Sequence, residues 1–311
     1  MTDVVITEFM DMTAVDRLAE DFDVLYDPTL VDEPERLSTS ISGARALIVR
    51  NRTKVNASLL DQGRSLRVIG RLGTGLDNID LEACEQRGVS VKPATGANAN
   101  AVAEYVIAST LLLTRGVFMS SGDVASGLWP RTGLVGREVA GSTMGLIGFG
   151  EIARRVARMA ASLGMHVIAH DPYVDESDVA WSEAERVTLD DVFERSDIVS
   201  IHVPLTDTTR NMVGASALAA MMPTAAIINT SRGGIVDEQA LVQALHDGTI
   251  AGAALDVFTT EPLSLESGRM YAGVPGLILT PHVAGVTQES NVRVSAMVAN
   301  AVREVLVGSG P

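Results

Sequence analysis

Short, continuous apolar runs alternate along this chain with stretches whose apolar positions recur every three to four residues. Runs at residues 4–8, 24–26, 46–49, 67–70 and 89–92 predict strands, and stretches 13–20, 34–40, 56–62 and 79–87 predict the helices between them. Strands that are apolar throughout, each followed by a helix, indicate a parallel sheet covered on both faces. A long apolar helix over 98–115 follows, then an irregular segment over 126–141. A second series then begins, with strands predicted at 143–147, 165–170, 198–202, 226–229, 252–256 and 277–280. The last helical pattern, 287–307, has no strand of its own and is expected to return to the first series. The reading is an α/β protein of two Rossmann-like, doubly wound parallel-sheet domains: residues 1–97 with 286–311, and residues 98–285 inserted between those two pieces.

The strand at 143–147 runs into Gly148-Phe149-Gly150-Glu151-Ile152-Ala153, and a helix is predicted over 151–163. At this spacing the first glycine makes the tight turn, the second lets backbone approach a pyrophosphate, and the small third residue lets helix pack on strand. The helix N-terminus over Glu151 and Ile152 then presents free N–H groups to a diphosphate. The next strand ends in Asp171, about 20 residues beyond the glycines, where an acid holds ribose hydroxyls. A carboxylate there repels a 2′-phosphate, and Pro172 and Tyr173 offer no arginine in its place. NAD is therefore expected rather than NADP, with 98–285 as the cofactor domain and the other two pieces as the substrate domain.

Composition narrows the class. The 311 residues carry a net charge of −15, which argues against a nucleic-acid partner. Aromatic residues make up 4% of the chain, no apolar run approaches the length of a membrane span, and the N-terminus reads as a strand rather than a signal peptide. A cytoplasmic protein is expected. The single cysteine, Cys84, sits at helical spacing without a nearby histidine and is expected to be packing.

Six further stretches carry a family resemblance. They are Arg71-Leu-Gly-Thr-Gly-Leu-Asp-Asn-Ile-Asp80, Asn98-Ala-Asn-Ala-Val-Ala-Glu104, His202-Val-Pro204-Leu-Thr206 with Thr209-Arg210, Asn229-Thr230-Ser-Arg232-Gly-Gly-Ile-Val-Asp237, Leu255-Asp256-Val-Phe258 with Glu261-Pro-Leu, and Thr280-Pro-His282-Val-Ala-Gly285. With the glycine motif they make the chain similar, over nearly its whole length, to the D-isomer-specific 2-hydroxyacid dehydrogenases, near phosphoglycerate dehydrogenase and hydroxypyruvate reductase. The resemblance implies a two-domain fold with a cleft between the domains and a homodimer formed around the cofactor domain. It implies cofactor contacts from His202, Pro204, Thr209, Thr230, Asp256, His282 and Gly285, with Asp256 on the nicotinamide carboxamide. It also implies a catalytic set of Arg232, Glu261 and His282.

The chemistry suits those residue types. Oxidising a secondary alcohol needs a base for the hydroxyl proton, and an imidazole, ordinarily titrating at about 6.5, cycles near neutral pH. A carboxylate on the other ring nitrogen orients the ring and stabilises its charged form, the part assigned to Glu261. A guanidinium at a strand's carboxyl end, Arg232, holds the substrate carboxylate and polarises the carbonyl oxygen. Backbone N–H groups of Leu72, Gly73 and Thr74 are expected to bind the carboxylate as an anion nest, and Asn98 resembles a substrate-contacting asparagine; alternatively Asn98 and Asn100 swap roles, or one of them caps the long helix. No metal is expected, because the set has no clustered ligand spacing.

Arg50, Arg52 and Arg131 are candidates for an anion at the far end of the substrate, the last reaching in from a partner subunit by resemblance, or else ordinary surface ion-pair formers. A doubly anionic acid such as 3-phosphoglycerate or sulfolactate is favoured, with hydroxypyruvate or glyoxylate reduction as the alternative. An NAD-sensing binding protein without turnover is a reading of another class, and formate or phosphonate oxidation shares only the hydride acceptor. The long C-terminal regulatory segment of many phosphoglycerate dehydrogenases is not expected, nor is feedback by serine, since the sequence runs only to Pro311.

Overall fold

The computed structural model describes residues 2–308; Met1 and residues 309–311, assigned above to the substrate domain, lie outside the described residues. The chain divides into two compact units, Met1–Asn98 with Val286–Pro311, and Ala99–Gly285.

The first unit holds strands β1 (Val4–Ile6), β2 (Val24–Tyr26), β3 (Ala46–Val49), β4 (Val68–Arg71) and β5 (Ser90–Pro93). They form a parallel sheet in the order β2-β1-β3-β4-β5. Every residue of β1 and β3 is buried, as two covered faces require. Leu37, Ile41, Leu60 and the buried Cys84 lie in the core on one face. Val294, Val298 and Val302 of the helix Gln288–Val307 lie in the core on the other. The helix sits close because β4 carries Gly70 beneath it: a Cβ there would stand 2.6 Å from a Val298 methyl.

Local chemistry sets the element ends. Strand β1 stops at Ile6 rather than at residue 8 because Glu8 turns its carboxylate to neighbouring backbone. The helix Leu81–Gln86 starts two residues later than expected: Ile79 pairs with Val55 in an isolated bridge, and Asp80 caps the helix through the Ala83 N–H at 2.9 Å.

The second unit holds β6 (Thr143–Ile147), β7 (His166–His170), β8 (Glu185–Arg186), β9 (Ile198–Ile201), β10 (Ala226–Asn229), β11 (Gly252–Leu255) and β12 (Leu277–Leu279). The sheet is parallel throughout, in the order β12-β11-β10-β9-β6-β7-β8. Its order reverses at β6, whose neighbours are β9 and β7, and in open α/β sheets ligands bind beyond the strand carboxyl ends at such a point. Strand β8 was not predicted; its two residues are exposed and charged.

Ala103 and Val106 of the helix Ala99–Arg115 share a core with Ala153, Val156 and Ala157 of the helix Glu151–Ser162. The irregular segment contains a short 3₁₀ turn, Arg131–Leu134. Around it, Phe118, Met119, Leu128, Trp129 and Val135 expose large apolar side chains. Among the described residues no single helix is long and apolar enough to cross a membrane.

Candidate active site

At the carboxyl end of β6, Gly148 adopts φ +87°, and its N–H donates to His170 O at 2.8 Å. A Cβ there would stand 2.7 Å from the His202 carbonyl oxygen, so the turn from β6 past β9 demands glycine. A Cβ on Gly150 would meet nothing within 4 Å, which leaves the start of the helix Glu151–Ser162 open to a ligand. Phe149 contributes backbone only: its ring is fully buried and stacks on Trp181 at 5.0 Å, while its N–H donates to Asp171 Oδ2 at 2.8 Å. Asp171 Oδ1 accepts from the Tyr173 N–H, so this carboxylate also braces the glycine turn. Glu151 is ion-paired with Arg155 one turn on, and Ile152 packs against the core.

Beyond β9, burial pushes the His202 imidazole down to about 4, so the ring is neutral at physiological pH, and its Nε2 lies 3.0 Å from Ser200 Oγ. The Thr209 hydroxyl donates to Pro204 O at 2.6 Å and accepts from the Thr206 N–H, bracing the loop. Thr230 follows β10 and holds a buried hydroxyl oxygen with no hydrogen-bond partner among the described residues.

Arg232 is presented by a fixed turn. Buried Asn229 accepts from the Ser231 N–H and donates to Arg232 O, while the Ser231 hydroxyl donates to Ile201 O at 2.6 Å. Gly233 packs against the Phe258 backbone. Glu261 Oε1 accepts from the Phe258 N–H at 2.9 Å, and Oε2 lies 2.7 Å from His282 Nδ1. Burial raises the Glu261 carboxyl, but the His282 and Phe258 hydrogen bonds and the charges of His282 and Arg232 hold it below its ordinary value. The structure thus brings Arg232, Glu261 and His282 of the second unit together.

The loop bearing His282 is organised by Asp256, which is 1% exposed. Its Oδ1 accepts from the Thr280 hydroxyl and the Val283 N–H, and its Oδ2 from the Ala284 N–H. Both oxygens of the residue expected on the carboxamide are therefore taken up by the loop. Nothing in the sequence signalled that arrangement.

In the first unit, two of the three amides expected to form an anion nest are engaged by backbone. The Leu72 N–H donates to Val49 O at 2.8 Å, extending the β3–β4 ladder, and the Gly73 N–H turns back to Arg71 O at 2.8 Å. The Thr74 N–H makes no hydrogen bond among the described residues. Among the described residues Asn98 Oδ1 is buried without a hydrogen-bond partner and so caps no helix, while Asn100 is hydrogen-bonded to Glu104.

The arginines differ among themselves. Exposed Arg52 is ion-paired with Asp32, and Arg131 is exposed on its 3₁₀ turn. Arg50 is half-buried, with its guanidinium 5.9 Å over the Phe9 ring and donating to Asn291 Oδ1 at 3.1 Å. It makes no ion pair among the described residues. Burial lowers its pKa, a shift opposed by the Glu8 charge.

The description "D-isomer specific 2-hydroxyacid dehydrogenase, NAD binding domain" matches residues 107–284. The chain belongs to this family. It is an NAD-dependent oxidoreductase of 2-hydroxy acids. It is 52% identical over 307 residues to the (S)-sulfolactate dehydrogenase of Chromohalobacter salexigens, covering 98% of this chain and 99% of that protein. It is 38% identical over 262 residues to the hydroxypyruvate reductase of Thermotoga maritima, covering 84% and 85%. The crystal structure of the TT0316 protein from Thermus thermophilus superposes with a TM-score of 0.88 at 30% identity, covering 99% and 98%. NAD fits the residues present: the Gly148 turn, the open face at Gly150 and the unpartnered Thr230 hydroxyl are the features a dinucleotide would use.

Proposed function

We propose that this dehydrogenase oxidises (S)-sulfolactate to the corresponding 2-keto sulfonate. The full-length 52% identity to a protein of that name carries the reading. Stereochemistry agrees with it: the sulfonated methylene outranks the carboxyl group in naming, so (S)-sulfolactate has the spatial arrangement of D-lactate, as a D-specific site requires.

Bound NAD supplies a nicotinamide that accepts hydride from carbon 2. His282, its Nδ1 held by Glu261, takes the hydroxyl proton on Nε2 as the C–O bond becomes a carbonyl. Arg232 pairs with the carboxylate and offsets negative charge on the oxygen. Asp171 would hold the ribose hydroxyls, and the Gly150–Ile152 backbone would hold the diphosphate. In the first unit, taken by itself, half-buried Arg50 makes no ion pair among the described residues and is the guanidinium suited to a sulfonate.

The exposed apolar side chains Phe118, Met119, Leu128, Trp129 and Val135, all within one stretch of sequence, support a homodimer formed through the NAD domain, with Arg131 of that stretch reaching the second copy. We place the enzyme in the cytoplasm, with which the free Cys84 accords.

The test is NADH absorbance with a panel of enantiomeric 2-hydroxy and 2-keto acids, each with NAD and NADP. A kcat/KM for (S)-sulfolactate that exceeds those of phosphoglycerate, glycerate and lactate is expected. A preference for hydroxypyruvate would replace this substrate, and no turnover of any acid would overturn the catalytic reading.

A further inference from the structure

One side chain of the helix Ala99–Arg115 reaches the loop that carries His282. Tyr105 Oη lies 2.6 Å from Thr280 Oγ1, which in turn lies 2.6 Å from Asp256 Oδ1. Proton count fixes the direction of both bonds. A carboxylate only accepts and a hydroxyl has one proton, so Thr280 donates to Asp256 and Tyr105 donates to Thr280. Asp256 then receives Thr280 before His282 and the Val283 and Ala284 N–H groups after it. The His282 N–H donates to the Asp256 carbonyl oxygen at 2.8 Å. Clamped on both sides, His282 adopts φ +56°, a left-handed conformation that residues with a Cβ hold only when their surroundings impose it.

We propose that Tyr105 is a positioning residue for His282, acting through Thr280 and Asp256 to hold the 280–284 loop in the turn that presents the imidazole to Glu261. The proposal rests on the reading of His282 as the proton carrier. Tyr105 is half-buried, and burial raises its phenol above the ordinary value, so it stays protonated and donating wherever the enzyme works. Without that donor the Thr280 hydroxyl is free to rotate away from Asp256. The loop then loses one of the bonds that offset the unfavourable His282 backbone.

The test compares Tyr105→Phe, Thr280→Val, Thr280→Ser and the double variant Tyr105→Phe/Thr280→Val with the wild type. The readouts are kcat and KM in acid oxidation, the NADH dissociation constant by fluorescence, and Tm. Tyr105→Phe and Thr280→Val are expected to lower kcat about tenfold while NADH affinity and KM stay within about twofold, as for one lost hydrogen bond. Thr280→Ser, which keeps the hydroxyl, restores kcat. The double variant removes both hydroxyls of the Tyr105–Thr280 pair together, so it separates loss of positioning from loss of fold: a low kcat at near-normal Tm supports the proposal. Wild-type kcat in Tyr105→Phe and Thr280→Val, or a loss matched in NADH affinity and Tm, overturns it. His282→Ala is run alongside. If that variant keeps its kcat, the proton-carrier reading itself fails; if it is inactive while the Tyr105 and Thr280 variants are normal, only the positioning role fails.

Discussion

Gly233 lies against the backbone of Phe258 so closely that a Cβ on Gly233 would stand 1.9 Å from the Phe258 carbonyl carbon. No side chain separates the turn that presents Arg232 from the loop that presents Glu261. Replacing Gly233 by Ala must push the two apart, because the obstacle is backbone. Gly233→Ala is expected to lose about 1–3 kcal/mol of stability and to reduce kcat together with the Arg232–Glu261 geometry. Thermal unfolding and steady-state kinetics check both.

Removing the imidazole tests the chemistry directly. His282→Ala is expected to lower kcat by about a hundredfold or more while NADH still binds. Stopped-flow kinetics with a C2-deuterated acid adds a check on the chemical step.

Glu261 gives a pH-dependent signature. Its carboxyl is held below its ordinary 4.5 in the folded protein, so it contributes stability above that value and loses it as pH falls through the depressed one. The stability difference between wild type and Glu261→Gln is therefore expected to be largest at neutral pH and to shrink below 4.5. Urea unfolding across about pH 3–7 reads this as a converging pair of curves, about equal at the acid end.

The two neighbouring arginines separate by variant. Arg50→Ala is expected to raise KM for (S)-sulfolactate about tenfold or more, with little effect on a monoanionic acid such as D-lactate. Arg52→Ala breaks only an exposed pair with Asp32 and is expected to change KM about twofold at most. Equal effects of the two variants would move the sulfonate away from Arg50.

Trp129 is 79% exposed, and the apolar side chains of Leu128 and Val135, near it in sequence, are exposed as well. Trp129→Glu is expected to shift the protein from dimer to monomer in sedimentation velocity. A wild-type protein that sediments as a monomer would remove the homodimer from the proposed function.

Much of this was legible because the signals are local. The boundaries of β3 and β10 follow from continuous apolar runs, Ala46–Val49 and Ala226–Asn229, and the glycine turn follows from spacing. What escaped was set by partners distant in sequence. The Leu72 amide looks free in sequence, and only the β3–β4 register shows that Val49 consumes it. Asp256 reads as a strand-end acid until the 280–284 loop folds onto it, and Tyr105 is hidden in an apolar helical pattern.

In sequence, Glu8 likewise reads as the end of a strand. Its buried carboxylate accepts the Arg50, Arg52 and Thr53 N–H groups, while Asn78 donates to the carbonyls of Arg50 and Thr53 on the other side. The turn after β3 has thus been given its anion by its own chain. An acid arriving there finds the amides already engaged and meets side chains on a rigid frame. Under the proposed function, recognition at this turn is a replaceable part: exchanging the residue at position 50 would alter what is read and leave intact the backbone that presents it.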